Sequence, residues 1–134
     1  MDEFANHANH NHKFYETICT DYPDHFFDWK NIALFYIAIH FIKALAKHRN
    51  KIIGTTHAEI NNNLRTGKHN PEMPISKTAY ENYMNLFHYS QSARYDGIPN
   101  IDLFQKLRKK DHEHACKCFR DLKRFIISAG VKIE

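Results

Sequence analysis

The sequence predicts an all-α protein, and three observations carry that expectation. Only four glycines and four prolines interrupt 134 residues. Runs of β-branched residues are few, and apolar side chains recur at helical spacing in four long segments. The length is that of one domain, enough to bury a core without disulfides or a structural metal, so a single domain over residues 1–134 is expected.

The stretch MDEFANHANHNH is polar and weakly patterned. Residues 1–12 are therefore expected to be frayed or disordered, with His7, His10 and His12 on a polar tail. Apolar periodicity begins at Phe14, Tyr15, Ile18 and Cys19, placing a first helix over about residues 6–20, and Asp21-Tyr22-Pro23 stops it. Trp29, Ile32, Ala33, Tyr36, His40, Lys43 and Ala46 then mark a second helix over about residues 23–47, apolar nearly all round and so expected at the centre. Its most apolar run, IALFYIAIHFIKALA, is shorter than the roughly 20 residues of a membrane span and contains His40 and Lys43, so a buried core helix is expected and no membrane contact.

Beyond the loop HRNKIIG, Thr56 with Glu59 three positions later has the form of a capping box, opening a short helix through Ile60 and Leu64 with His57 in its first turn. Residues 65–74, RTGKHNPEMP, read as a turn-rich loop. Ser76 is the expected N-cap of the next long helix, whose stripe Ala79, Tyr80, Tyr83 and Phe87 continues in phase through Ser90 to Arg94, until Gly97 and Pro99 end it. A final helix over about residues 101–128 puts Phe104, Leu107, Asp111, Ala115, Cys118, Leu122, Phe125 and Ala129 on one face.

Three cysteines make no disulfide framework, and no apolar leader follows Met1, so a reduced, soluble, cytoplasmic protein is expected. The formal charge is +4. From Asn100 onward nine Lys or Arg stand against five Asp or Glu, so the last segment carries the whole excess. Within it, RKKDHEHACKCF packs two histidines and two cysteines closely enough to suggest a metal site. On a helix, however, His112 and His114 point about 200° apart, as do Cys116 and Cys118, so the four cannot close one tetrahedral shell. Cys118 is expected in the core, His112 and Cys116 on a solvated face, and neither metal nor other cofactor is expected.

The order of these features is similar to that of the small prokaryotic HEPN-domain proteins. Their motifs W-A-x3-Y-A-x2-H, a Ser-His opening a short helix, and S-x-x-A-R-Y map in order onto Trp29, Tyr36 and His40; onto Thr56 and His57; and onto Ser90-Gln91-Ser92-Ala93-Arg94-Tyr95. The resemblance implies an up-and-down four-helix bundle with a short extra helix. It also implies a homodimer that binds or cleaves RNA in toxin–antitoxin or defence systems, and a nucleotidyltransferase antitoxin as a partner. Catalytic members carry an Arg followed within a few residues by a His; here the window after Arg94 holds no histidine. Arg108 and His114 have that spacing, but inside one helix they stand about 120° apart. An RNA- or nucleotide-binding module is therefore the leading expectation. The alternatives are a metal-independent endoribonuclease and a non-catalytic dimerisation or partner-pairing protein.

Two residue sets carry these expectations. Arg94, His57 and His40 form the candidate catalytic cluster. The Arg94 guanidinium has the forked geometry that suits a phosphate, with Asp28, Glu59 or Asp96 as alternative acidic partners. His57 at a helix start is biased toward the neutral, proton-accepting form, and His40 lies on the Trp29–Tyr36 face. For RNA binding, Lys106, Lys110, Lys117, Arg120 and Arg124 form a basic ridge along the last helix, opposite its apolar stripe.

Overall fold

A computed structural model describes residues 2–67 and 70–133. Among these residues the chain is all-helical, with five helices and no strand: α1 Glu3–Asp21, α2 Phe27–His48, α3 His57–Leu64, α4 Lys77–Tyr95 and α5 Ile101–Ser128. Lys68 and His69, inside the loop expected over residues 65–74, lie outside the described residues.

Local chemistry sets the helix starts. Asp2 Oδ1 accepts from Ala5 N, Ser76 Oγ from Ala79 N, and Asn100 Oδ1 from Leu103 N, each pairing one of the donors that a helix start leaves unpaired. At Thr56 the hydroxyl accepts from Glu59 N at 3.1 Å and donates to Glu59 Oε1 at 2.9 Å, so the expected pairing of these two residues opens α3. Gly54, at φ +97°, makes this possible. A Cβ there would stand 2.6 Å from Glu59 Cβ.

Helix α2 is the spine. It packs on α1, α4 and α5, and α4 packs on α5. Contact order along the helices gives their directions. Glu3 meets Lys47, and His7 stacks on His40, so α1 and α2 run oppositely. Tyr89 bonds His114 and Arg108 bonds Ser92, so α4 and α5 do too. Phe27 N bonds Gln105, Asn31 bonds the Arg108 carbonyl and Phe41 stacks on Phe119, so α2 and α5 run the same way. The core joins Leu34, Phe35, Phe41, Ile42 and Leu45 of α2 to Tyr83 and Leu86 of α4 and to Ala115, Cys118, Leu122 and Ile126 of α5. Helix α3 is pinned to it by Ile60 and Leu64. Among the described residues α2 alone is long and apolar enough to cross a membrane, but 72% of its most apolar window lies inside the protein, the pattern of a core helix.

Four expectations need correction. The N-terminal segment is helical from Glu3, and its anchors are Ala5 and Ala8, both fully buried, small residues that pack closely without an obvious apolar stripe. The second helix begins at Phe27, because Phe26 takes a left-handed conformation (φ 59°) before it. Lys30, 1% exposed, fastens that corner by donating to the carbonyls of Tyr22 and Pro23. Nor is α2 evenly buried: Trp29 and Tyr36 are 53% and 37% exposed, so the Trp29–Tyr36–His40–Lys43 line is its outer edge.

The fourth correction concerns His112 and Cys116, which are half-buried against α1 rather than solvated. His112 Nε2 and the Tyr15 hydroxyl are 2.7 Å apart, with Cys116 Sγ 3.6 Å from the same hydroxyl. Burial, with the Lys30 ammonium nearby, holds the His112 pKa down at about 4, and burial raises that of Tyr15. Cys118 is buried as expected. No group of three or more His, Cys, Asp or Glu among the described residues is placed to hold a metal ion.

Candidate functional site

Helices α2, α3 and α4 meet around one aromatic wall. Phe35 of α2 lies 5.5 Å, centroid to centroid, from Phe87 and 5.8 Å from Tyr83 of α4. His57, the first residue of α3, leans on that wall, with ring centroids 5.4 Å from Phe35 and 5.7 Å from Phe87. Beside Phe35, the Tyr36 ring turns outward. Arg94, two turns beyond Phe87 on the same face of α4, donates from an NH1 group to the Tyr36 hydroxyl at 3.2 Å. Its guanidinium carbon stands 5.9 Å from the Tyr36 ring centre and 5.2 Å from that of Tyr95, within cation–π range of both.

Arg94 and His57 therefore flank one locus, coupled through the Arg94 charge and not by a direct hydrogen bond or ring contact. Burial lowers the His57 pKa, and the Arg94 charge and that of Lys43 lower it further, so the ring is neutral near pH 7. His57 Nδ1 and Arg94 Nε are both buried without a hydrogen-bond partner. Asn61 Oδ1 on α3, and the Tyr83 hydroxyl and Ser90 Oγ on α4, are in the same condition. Five of the seven such side-chain atoms among the described residues thus belong to these two helices, an unusual concentration of unsatisfied polarity.

His40 stands apart from this pair. Its Nδ1 lies 2.7 Å from the Tyr36 carbonyl oxygen, which can only accept, so Nδ1 carries the proton and Nε2 is the free acceptor. Its ring stacks on His7 at 5.2 Å, and no hydrogen bond or ring contact joins it to His57 or Arg94. Burial lowers its pKa, with Lys43 and His7 adding to the effect.

None of the three acids considered for Arg94 pairs with it. Asp96 accepts from Arg108, Glu59 is engaged with Thr56, and Asp28 accepts from Gln105. The buried guanidinium is Arg108, 5% exposed, with Asp96 at 2.9 Å and Asp111 at 3.0 Å, the latter at ion-pair distance but out of hydrogen-bond alignment. Arg108 is a structural tie and makes no bond to His114, which meets Tyr89.

The basic ridge is present on α5, with Lys106, Lys110, Lys117, Arg120 and Arg124 all exposed. Lys117 and Arg124 share Asp121 at 3.6 and 3.5 Å. The other three have no ion pair among the described residues. Sequence reasoning missed Tyr36, Lys43 and Tyr95 as members of the locus. For Tyr36 and Lys43 the signal was the spacing of 7, 4 and 3 in Trp29–Tyr36–His40–Lys43, a polar and aromatic line on an otherwise apolar helix; for Tyr95 it was its place directly after Arg94.

No protein-family model matches this chain, and no curated protein or solved structure is significantly similar to it.

Proposed function

We propose that this protein is a HEPN-like up-and-down four-helix bundle with one short extra helix, and that it binds RNA at the Arg94–Tyr36–His57 locus. The alternating directions of α1, α2, α4 and α5 support the architecture. One observation carries the function: Arg94 is held between two aromatic rings with no carboxylate within ion-pair distance among the described residues. An arginine tied to an acid has spent its donors. One that is positioned by rings keeps them for a phosphate, and the exposed Tyr36 and Tyr95 offer faces on which bases can stack. A cytoplasmic homodimer in a toxin–antitoxin or defence setting, with a nucleotidyltransferase partner, is the context that the HEPN resemblance supplies. The exposed Trp29 suits such an interface.

The test is anisotropy of a short labelled single-stranded RNA. Arg94→Ala should weaken binding about tenfold or more with an unchanged circular dichroism spectrum, and Arg94→Lys should not restore it, because the ammonium lacks the fork and the stacking plane. Wild-type affinity in Arg94→Ala would remove the reading.

Endoribonuclease activity is the second reading, favoured by the neutral His57 beside the Arg94 charge. His57 would take the 2′-hydroxyl proton, the 2′-oxygen would attack the phosphorus with Arg94 stabilising the phosphorane, and the P–O5′ bond would break, leaving a 2′,3′-cyclic phosphate end and a 5′-hydroxyl protonated by water. Divalent-free incubation should then yield cyclic-phosphate products that His57→Ala abolishes; binding without such products leaves the module non-catalytic.

A further inference from the structure

The outer line of α2 does not stop at His40. It continues through Lys43 to Lys47, at spacings of three and four, into a cavity of about 590 Å³. The walls are the last turns of α2, Phe4 of α1 and the segment from Asn50 to Thr55. Three of the ten lining residues are lysines (Lys43, Lys47 and Lys51) and none is acidic. Phe4, Ile52 and Ile53 supply the apolar part of the lining, with the Lys47 ammonium 6.0 Å from the Phe4 ring centre. Ile52 is 86% exposed, large and apolar on a loop with no packing role.

Two acids lie beside this cavity, and only Glu3 pairs with a lysine that lines it. Glu59 lies behind Gly54, its carboxylate accepting from the Thr56 hydroxyl. Glu3 reaches Lys47 at 3.5 Å, but both side chains are more than half exposed, so that pair is weak. Lys43 and Lys51 have no ion pair among the described residues. The cavity therefore offers two uncommitted cations and a third weakly held, in one lining with apolar side chains. Its volume falls in the range of small-molecule sites, roughly 300–1,000 Å³. Along α2, Lys43 is seven residues from Tyr36, or roughly 10 Å, and its charge is felt by His57.

We infer that this cavity binds one nucleotide of a single-stranded RNA, its phosphate on Lys43 and Lys51 and its base against Phe4 and Ile52. The inference rests on the proposed RNA binding and extends it: Arg94 holds one phosphate, and the strand follows the α2 edge through His40 into the cavity. An anion with a purely aliphatic body would find the same charges. A nucleotide is favoured because the cavity prolongs, on one helix edge, the locus where Arg94 and the two tyrosines already suit phosphate and base.

Lys51→Glu and Ile52→Asp are the test variants, because both side chains are exposed and neither should alter thermal denaturation. The probes are an eight-nucleotide single-stranded RNA, adenosine 5′-monophosphate and decanoate. The expected result has three parts: saturable binding of the monophosphate to the wild type; at least a fivefold loss in either variant for both monophosphate and RNA; and no competition from decanoate. Two outcomes would overturn the inference: no saturable monophosphate binding, or decanoate displacing it. Should Arg94→Ala impair RNA binding while Lys51→Glu and Ile52→Asp do not, the cavity is not part of the RNA path and the Arg94 reading stands. Should the two cavity variants impair RNA and monophosphate binding while Arg94→Ala does not, the cavity stands and the Arg94 reading falls.

Discussion

Arg108 donates to Asp96 at 2.9 Å, and by doing so it takes the carboxylate that lies only two residues from Arg94. One arginine is thereby structural and the other left with donors to spare. The division predicts opposite phenotypes. Arg108→Ala strands Asp96 and Asp111 and empties a buried site, so it should cost about 2–3 kcal/mol, less than a fully buried pair because both carboxylates are partly exposed. Arg94→Ala should cost under about 1 kcal/mol, since it removes one hydrogen bond and two ring contacts on a half-exposed side chain. Urea unfolding of both variants measures this, and equal losses would erase the distinction.

The N-terminal turn is the second place where packing has a measurable consequence. Ala5 and Ala8 are fully buried where α1 packs on α2, so a longer side chain at either must displace its neighbours. Ala8→Leu should therefore destabilise by about 1–3 kcal/mol through overpacking. Asp2→Ala, which removes the cap on Ala5 N, should cost about 1 kcal/mol. A frayed segment would tolerate both, so unchanged melting temperatures would return residues 3–12 to the disordered tail.

The same alanines show what could and could not be read from the sequence. Thr56, Ser76 and the 3.6-residue stripes of α4 and α5 were legible because capping and amphipathicity are local properties. The start of α1 was not, because two alanines carry its packing and hydropathy gives them little weight. Nothing local in the sequence marks Lys30 or Arg108 for burial, since charged side chains are ordinarily exposed. They are buried because each meets acceptors outside its own helix: the Tyr22 and Pro23 carbonyls for Lys30, and Ser92 and Asp96 for Arg108. The candidate site was half legible. Arg94 and His57 carried the pattern, whereas Tyr36, whose hydroxyl oxygen accepts from Arg94, entered only as a motif and helix-spacing position. His40 was placed by spacing on the right edge of α2, yet its neighbours are the Tyr36 carbonyl and the His7 ring.

Acid sensitivity follows from His112. In the folded protein its pKa lies at about 4, below the ordinary value of 6.5, because burial and Lys30 disfavour the charged ring. Between these values the unfolded chain binds a proton that the folded chain does not. Its contribution is thus fully present above about pH 6.5 and is lost as pH falls toward 4. At 1.4 kcal/mol per pKa unit, reduced for partial solvent access, the loss is about 2 kcal/mol. Tyr15, Lys30 and Cys116 surround the ring, and His112→Gln keeps a polar partner for Tyr15 while removing the titration. The variant's stability should vary less between pH 7 and 4.5 than the wild type's, with His12, His40 and His57, also lowered, giving the remaining slope. Parallel pH curves would show that His112 is not the source.

The ridge on α5 makes a prediction about salt that depends on which cations are already paired. Lys117 and Arg124 lean on Asp121, so each must give up part of an ion pair to meet a phosphate, whereas Lys106, Lys110 and Arg120 need not. If RNA runs along this ridge, replacing the latter three by alanine should reduce the slope of log affinity against log salt by about 2, at roughly 0.7 per lost single-strand phosphate contact. Lys117→Ala with Arg124→Ala should reduce it by less, and Asp121→Asn should strengthen binding by freeing both. Arg94→Ala, acting at the other locus through one phosphate and two rings, should lower affinity while shifting the slope by less than about 1. The ridge lies opposite the buried stripe of α5, and Arg94 lies between α2 and α4, so one short strand need not touch both. An eight-nucleotide RNA whose affinity depends on Arg94 but whose slope ignores Lys106, Lys110 and Arg120 would confine binding to the α2 edge and leave the ridge as a solvated face.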